Sequence, residues 1–228
     1  MIVNRFRNFL RRFDYLLLLL SLLLLVGSPI WEKIFNGGRI LADLMTIIIL
    51  ISGLSVTFSH KTNKMDFKLL FGLVTIILSA ILLIIDFGDL FSQIVQYLQV
   101  FYFLVLTVIL IKYIAKSKIV AIDVVINSIS GYLLLGLSWA ILINMWTNNY
   151  SGSFNFNEEQ TNQFFNSIYY AFVTLTTLGY GDMLPLTSAA KAFSVLIAIT
   201  GAFYSTIILG MIVGKFISQE SFKHIDKN

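Results

Sequence analysis

The apolar positions of the chain fall into long, nearly unbroken runs that are separated by short polar stretches. Each long run approaches or exceeds the roughly 20 residues that a helix needs to cross about 30 Å of hydrocarbon. Membrane β-strands would instead alternate apolar and polar residues at period two. The pattern therefore predicts an all-α membrane protein with six transmembrane helices, at 13–30, 40–58, 67–85, 91–114, 119–145 and 188–216.

A shorter apolar segment, 164–174, lies between the last two spans and follows a polar stretch at 147–163 that is rich in glycine and asparagine. As a helix it would be roughly 16 Å long, which is too short to cross the hydrocarbon. The segment is therefore expected to enter the membrane and return as a re-entrant helix. Irregular backbone that follows it at membrane depth is tolerated only where it lines a polar cavity.

The composition supports a lipid environment, since 57% of the 228 residues are apolar and only 12% are charged. The chain has no cysteine, which excludes disulfides and thiolate metal sites. The two histidines, His60 and His224, lie in polar, basic stretches typical of solvated loops. No metal-ligand cluster, nucleophile–base set or pair of intramembrane carboxylates is apparent, so we expect neither an enzyme nor a bound cofactor.

The basic residues are divided among short loops, so the net charge of +4 indicates membrane topology and not nucleic-acid binding. If the N-terminus is cytoplasmic, the basic residues on the inner side are Arg5, Arg7, Arg11, Arg12, Lys61, Lys64, Lys68, Lys112, Lys116, Lys118, Lys215, Lys223 and Lys227. Only Lys33, Arg39 and Lys191 then lie outside. This asymmetry predicts a multi-pass protein of the cell membrane with both termini in the cytoplasm.

The leucine-rich run at 16–25 has an alternative interpretation, because arginines precede it and small residues follow it at 26–28. These are features of a cleaved signal peptide, although the run is longer than a usual signal core. We favour a retained first helix.

The candidate chemistry lies directly after the re-entrant segment, in the sequence Thr176-Thr177-Leu178-Gly179-Tyr180-Gly181-Asp182. Glycine at 179 and 181 permits backbone conformations that other residues avoid, so successive carbonyl oxygens could turn toward one axis. Thr177 adds a hydroxyl at the inner end of that row. Rings of such oxygens replace the hydration shell of a monovalent cation.

This sequence resembles the selectivity filter of the potassium channel family, and the resemblance covers roughly residues 125–217. It implies a homotetramer in which each subunit joins three identical subunits. It also implies K+ sites at the carbonyls of Thr177, Leu178, Gly179 and Tyr180, with the Thr177 hydroxyl completing the innermost site and Gly181 in the same ion-binding segment. The chain departs from the family at Leu178, where valine is usual.

Other residues are expected to support the filter. Thr176 and Asp182 flank it, and Tyr169 and Tyr170 lie where the family commonly has an aromatic pair that braces the filter. Either tyrosine would hydrogen-bond Asp182 or Tyr180. Aromatic packing at a helix interface is the alternative for both tyrosines.

The last span contains Gly201, at the place of the hinge glycine in the inner helix of the family. A glycine there permits a bend or a close helix–helix approach, and we favour the hinge. One helical stripe beyond it supplies candidates for the cavity wall, with Val213 as a possible constriction: Ala202, Ser205, Leu209 and Val213. A helix packing face is the alternative for that stripe.

The chain divides into a four-helix membrane domain at 1–118, a pore domain at 119–217 and a short cytoplasmic tail at 218–228. The first domain resembles a voltage-sensor domain, but it has no Lys or Arg from 92 through 111, where such a sensor carries arginines at every third position. An uncharged fourth helix cannot drive opening, because the work of a sensor is the movement of charge through the field.

We therefore expect passive, potassium-selective conduction without a conventional voltage sensor, with K+ as permeant ion and membrane lipids as further partners. A cation channel of relaxed K+/Na+ selectivity is the alternative, since Leu178 is unusual. A secondary transporter is less well supported, because transporters often have repeated halves with paired broken helices, and a single re-entrant segment is seen here.

Overall fold

The computed structural model describes residues 2–30, 38–59, 67–85, 87–117, 119–156 and 163–225 of the chain. Within these ranges the regular elements are α-helices, apart from an isolated antiparallel bridge that joins Phe154 to Pro185. The prediction of an all-α protein is confirmed for this part of the chain.

The helices coincide broadly with the predicted apolar segments, including the short one. In chain order they are α1 (Ile2–Val26), α2 (Gly38–Ser59), α3 (Phe67–Ile84), α4 (Asp89–Lys116), α5 (Ile122–Asn149), α6 (Gln163–Leu175) and α7 (Ser188–Ile225).

Two of the helices differ from the predicted boundaries by more than four residues at one end. Helix α1 begins at Ile2 instead of 13, and it ends at Val26 instead of 30 because Gly27 forms a turn there. Helix α7 continues through most of the predicted tail, since no glycine or proline follows Gly214 to interrupt it. Apolar runs therefore mark the lipid-embedded part of a helix and not its ends.

Three helices of the described chain are long and apolar enough to cross a membrane: α4, α5 and the part of α7 from Ser188 to Gln219. Shorter apolar stretches lie within the first three helices, at Asp14–Val26, Asp43–Thr57 and Lys68–Ile84. The chain is thus a membrane protein, and the full set of six crossings stays a prediction.

Each helix packs against its neighbours in sequence, and the first four are joined to the last three mainly through contacts of α1 and α4 with α5. Fully buried leucines on these helices form one continuous apolar core, for example Leu18 on α1, Leu106 on α4 and Leu134 on α5. Helix α6 lies between α5 and α7 and touches both. This arrangement holds the short helix and the loop that follows it on a rigid frame.

Helix α7 presents a wide apolar face that the described residues of the chain do not cover. Only 22% of the most apolar stretch of α7 is buried, compared with 61% of the corresponding stretch of α5. Large side chains such as Phe203 and Leu209 are each 64% exposed. An apolar face of this size on a membrane helix meets either lipid or other protein chains.

Candidate ion-conduction site

The site is built on α6, which at 13 residues is roughly 20 Å long and does not reach across a bilayer. One face of α6 is buried against the neighbouring helices through Phe165, Ile168, Ala171 and Leu175. The chain then continues as residues 176–182, which we name the filter loop. All seven residues of this loop are exposed in the single chain.

The backbone of the filter loop alternates in sign of φ. Thr177, Gly179 and Gly181 have φ of 59°, 56° and 80°, while Leu178 and Tyr180 between them keep negative φ. A positive φ is rare for a β-branched residue such as threonine, so the strain at Thr177 must be maintained by its surroundings. When right-handed and left-handed helical backbone conformations alternate along a segment, its amide groups point to one side of the backbone and its carbonyl groups point to the other.

The amide side of the filter loop is tied to the end of α6. The amide of Thr177 donates to the carbonyl of Thr174 at 3.0 Å, and the amides of Leu178 and Gly179 both donate to the carbonyl of Val173, at 3.0 and 3.2 Å. These bonds also satisfy carbonyl groups that a helix end leaves open. We therefore expect the carbonyl oxygens of the loop to point away from α6, where oxygen ligands can replace the water around a cation.

Asp182 at the outer end of the loop is held by Tyr169 on α6. The Tyr169 hydroxyl donates to the Asp182 carboxylate at 2.7 Å. This bond lowers the pKa of Asp182, and the same contact with the carboxylate raises the pKa of Tyr169 to about 12. The aspartate is therefore negatively charged and the tyrosine protonated around neutral pH.

The two tyrosines predicted as a pair have different partners. Tyr170 faces α7, where its hydroxyl lies 2.5 Å from the Ser194 hydroxyl and its ring packs edge-on against Phe154. Tyr169 alone bonds to the filter loop, at Asp182. Tyr170 thus packs at the interface with α7, as the alternative interpretation expected, whereas Tyr169 makes a hydrogen bond to the filter loop.

Asn155, which the sequence did not single out, also contacts the outer end of the filter loop. Its side-chain amide donates to the Asp182 carbonyl at 3.4 Å, its side-chain oxygen accepts from the Leu184 amide, and its own amide donates to the Leu184 carbonyl at 3.1 Å. The segment before α6 is therefore joined to the segment after the filter loop. A single asparagine in a polar stretch has no pattern that distinguishes it.

Gly201 lies directly against the end of α6. A Cβ atom added to it would be 2.2 Å from the carbonyl oxygen of Leu175, and α7 runs without a break through this position. The close approach was the alternative to the hinge, and it is what the contacts show. A hinge role for Gly201 stays a prediction.

Two aromatic residues of α5 also reach this region without having been predicted. The Tyr132 hydroxyl donates to the Leu175 carbonyl at 3.0 Å, and the Trp139 indole N–H donates to the Thr200 hydroxyl on α7 at 3.0 Å. Both residues lie inside an apolar run, so hydropathy alone could not separate them from ordinary lipid-facing residues.

The stripe predicted on α7 lies on the uncovered side of that helix. Its members, Ala202, Ser205, Leu209 and Val213, are all exposed. The face that packs against α5 instead includes Tyr204 and Ile208, which are buried with Val124. Within the described part of the chain, the stripe is therefore open to line a cavity or to meet another chain.

The comparison with known proteins converges on the same segment. A family model described as "Ion channel" matches residues 129–218, which include most of α5, all of α6, the filter loop and α7 up to its last turns. Similar proteins are a two-pore potassium channel 4 of Arabidopsis thaliana, 31% identical over 72 residues, and the A-type voltage-gated potassium channel KCND3 of Homo sapiens, 35% identical over 86 residues. Residues 129–218 of the chain are therefore similar to the ion-channel family and to these potassium channels.

The extent of this likeness is limited to the pore segment. The Arabidopsis match covers 32% of this chain and 25% of that protein, and the human match covers 38% and 13%. The chain thus matches a quarter or less of the length of these relatives. The matches point to an ion channel and not to an enzyme.

Proposed function

We propose that the chain is a subunit of a homotetrameric, potassium-selective channel of the cell membrane that conducts K+ passively. The observation that carries the proposal is the filter loop. Its φ angles alternate in sign at Thr177, Gly179 and Gly181, and its amides are tied back to Val173. A row of carbonyl oxygens directed away from α6 is the ligand set that a weakly hydrated monovalent cation requires.

Each K+ site would be formed by the equivalent carbonyl oxygens of several subunits around one axis. The carbonyls concerned are those of Thr177, Leu178, Gly179 and Tyr180, with the Thr177 hydroxyl at the inner end. One chain supplies only one side of such a ring. The uncovered apolar face of α7 supports assembly, because identical chains around an axis would bury it while bringing their loops together.

The orientation follows from the charge asymmetry, with both termini in the cytoplasm and six crossings. The first four helices would then act as a scaffold and not as a conventional sensor. Helix α4 has Lys112 and Lys116 at its inner end, and no Lys or Arg from 92 through 111. Control of opening would have to come from the filter loop or from α7.

The test is K+ flux from liposomes that contain the purified protein, with and without external barium. Gly179→Ala is expected to abolish flux, because alanine disfavours the φ of 56° that the loop needs there. The matched control is Gly152→Ala. Gly152 also has positive φ, 75°, and open space around it, but it lies outside the filter loop.

The proposal predicts barium-sensitive flux in the unchanged protein and in Gly152→Ala, and none in Gly179→Ala. If Gly179→Ala conducts K+ as well as Gly152→Ala does, the loop is not the conduction site and the proposal is wrong.

A cation channel of relaxed K+/Na+ selectivity is a second candidate, and Leu178 is the observation that favours it. Its side chain is 55% exposed in the single chain and is bulkier than the valine usual in the family. Reversal potentials in mixed K+ and Na+ would separate the two candidates. Leu178→Val should leave the ratio of permeabilities unchanged in the first case and raise it in the second.

A further inference from the structure

Three helices meet at one backbone oxygen, the carbonyl of Leu175 at the last residue of α6. Tyr132 on α5 donates its hydroxyl hydrogen to this oxygen at 3.0 Å. Gly201 on α7 lies against the same oxygen, so closely that a Cβ atom there would be 2.2 Å from it. The end of α6 is thereby held from two sides.

This carbonyl differs from the ones before it on α6. The carbonyls of Phe172, Val173 and Thr174 all accept from amides of the filter loop. The Leu175 carbonyl instead accepts from a side chain of another helix. A helix end must find donors for its last carbonyls, and here the donor fixes α6 to the outer helix.

We propose that Tyr132 is a positioning residue for ion selectivity, because its hydroxyl sets the place of the α6 end from which the filter loop starts. The loop begins one residue later, and its carbonyl row begins at Thr177. Ligand oxygens must be held to a fraction of an ångström to distinguish two monovalent cations. A hydrogen bond that fixes the Leu175 carbonyl, two residues before the first ligand at Thr177, can therefore affect selectivity without touching an ion. This inference rests on the proposed function.

The chain supplies a matched control in the same aromatic stack. The rings of Tyr132 and Tyr204 pack together with centroids 5.5 Å apart. The Tyr204 hydroxyl also donates to a backbone carbonyl, that of Ser128 at 2.8 Å, but this bond joins α7 to α5 and leaves α6 untouched. Replacing either tyrosine by phenylalanine removes one hydroxyl and one such bond. Only the change at 132 releases the end of α6.

The experiment measures reversal potentials of the reconstituted channel under mixed K+ and Na+, together with thermal unfolding, for Tyr132→Phe and Tyr204→Phe. Both variants are expected to lose similar stability. Tyr132→Phe is expected to lower the K+/Na+ permeability ratio by up to about fivefold, the factor that applies if the whole net contribution of one hydrogen bond is lost from the difference between the two ions. Tyr204→Phe should keep the ratio of the unchanged protein.

Equal ratios for all three proteins, or equal losses for both variants, would overturn the positioning role. If Tyr132→Phe does not fold, Tyr132→His decides. Imidazole keeps a ring and an N–H donor but is too short to replace the phenol hydroxyl at the Leu175 carbonyl, so the ratio should fall, and an unchanged ratio in the folded variant would overturn the role. An unchanged protein that fails to distinguish K+ from Na+ would instead refute the proposed function itself.

Discussion

At the scale of single residues, the contact between Tyr169 and Asp182 makes the outer end of the filter loop sensitive to acid. The hydrogen bond from Tyr169 lowers the pKa of Asp182 because it stabilises the carboxylate. A lowered pKa in the folded state means that the bond contributes stability above the ordinary carboxyl pKa. That contribution is lost as the pH falls through the lowered value.

We expect protonation of Asp182 to reduce K+ current at low external pH. Tyr169→Phe should then shift this acid block to a higher pH, because Asp182 will take up its proton more readily. The measurement is current against external pH in planar bilayers. Tyr170→Phe is the control, since its hydroxyl contacts Ser194 and not Asp182. A midpoint that moves equally in both variants would show that Asp182 does not control the block.

Gly201→Ala distinguishes the close approach from the hinge. A methyl group there meets backbone, which cannot rotate away, and overpacking of this kind costs about 1–3 kcal/mol. We expect a lower unfolding temperature and loss of K+ flux. Gly210→Ala on the same helix is the control, because nothing lies within 4 Å of its added Cβ. Normal stability with altered opening in Gly201→Ala would favour the hinge.

The sequence identified the filter loop because its chemistry depends on adjacent residues, which a motif can record. It could not identify Tyr132 or Asn155, whose roles depend on partners 43 and 27 or more residues away. The same limit explains the tyrosine pair. Tyr169 and Tyr170 are adjacent in sequence, but on a helix they point about 100° apart, so only one of them reaches Asp182.

At the scale of the elements, the end of α4 is bound to α7 by a lysine. The Lys215 ammonium group donates to the backbone carbonyls of Ile114, Ala115 and Ser117, the last two at 2.9 and 2.5 Å. A cation at the C-terminus of a helix satisfies open carbonyls and opposes the partial negative charge there. Close by, the Gln219 side chain accepts from the Val120 amide at 3.2 Å.

Lys215→Met should therefore lower stability by roughly 1–2 kcal/mol, because the carbonyls at the end of α4 lose their shared donor while the apolar stem is kept. Thermal unfolding of the protein in detergent would measure the loss. Lys191→Met, at an exposed position near the start of α7, should leave the unfolding temperature unchanged. Equal unfolding temperatures for Lys215→Met and the unchanged protein would contradict the capping role.

Element positions were predictable because each helix needs a long apolar face in lipid. Hydropathy does not report where a helix passes into polar surroundings, so α7 continues beyond the predicted end at 216. Nor does hydropathy reveal that Lys215 caps another helix. From the sequence alone, Lys215 is equally consistent with a topology signal. Its role as a cap becomes visible only when α4 is packed against α7.

At the scale of the whole molecule, α4 is polar along one side although it carries no Lys or Arg there. Gln93, Gln96 and Gln99 recur at every third position. Gln96 and Gln99 line a cavity of about 540 Å³, which also touches Asp43 and Asp89. Polar side chains in a membrane helix face the protein interior or water, so this cavity explains how α4 accommodates its amides.

Amides in a cavity experience no net force in a membrane potential, which leads to the last prediction. Moving one elementary charge through 100 mV supplies about 2.3 kcal/mol, roughly a 50-fold change in an opening equilibrium. Since α4 has no Lys or Arg from 92 through 111, the conductance should change by less than about twofold between −100 and +100 mV in symmetrical K+. Single-channel recording in planar bilayers would measure it. A steep dependence would require charge movement elsewhere in the chain, and the filter loop would be the first place to seek it, because K+ ions bound there lie within the field.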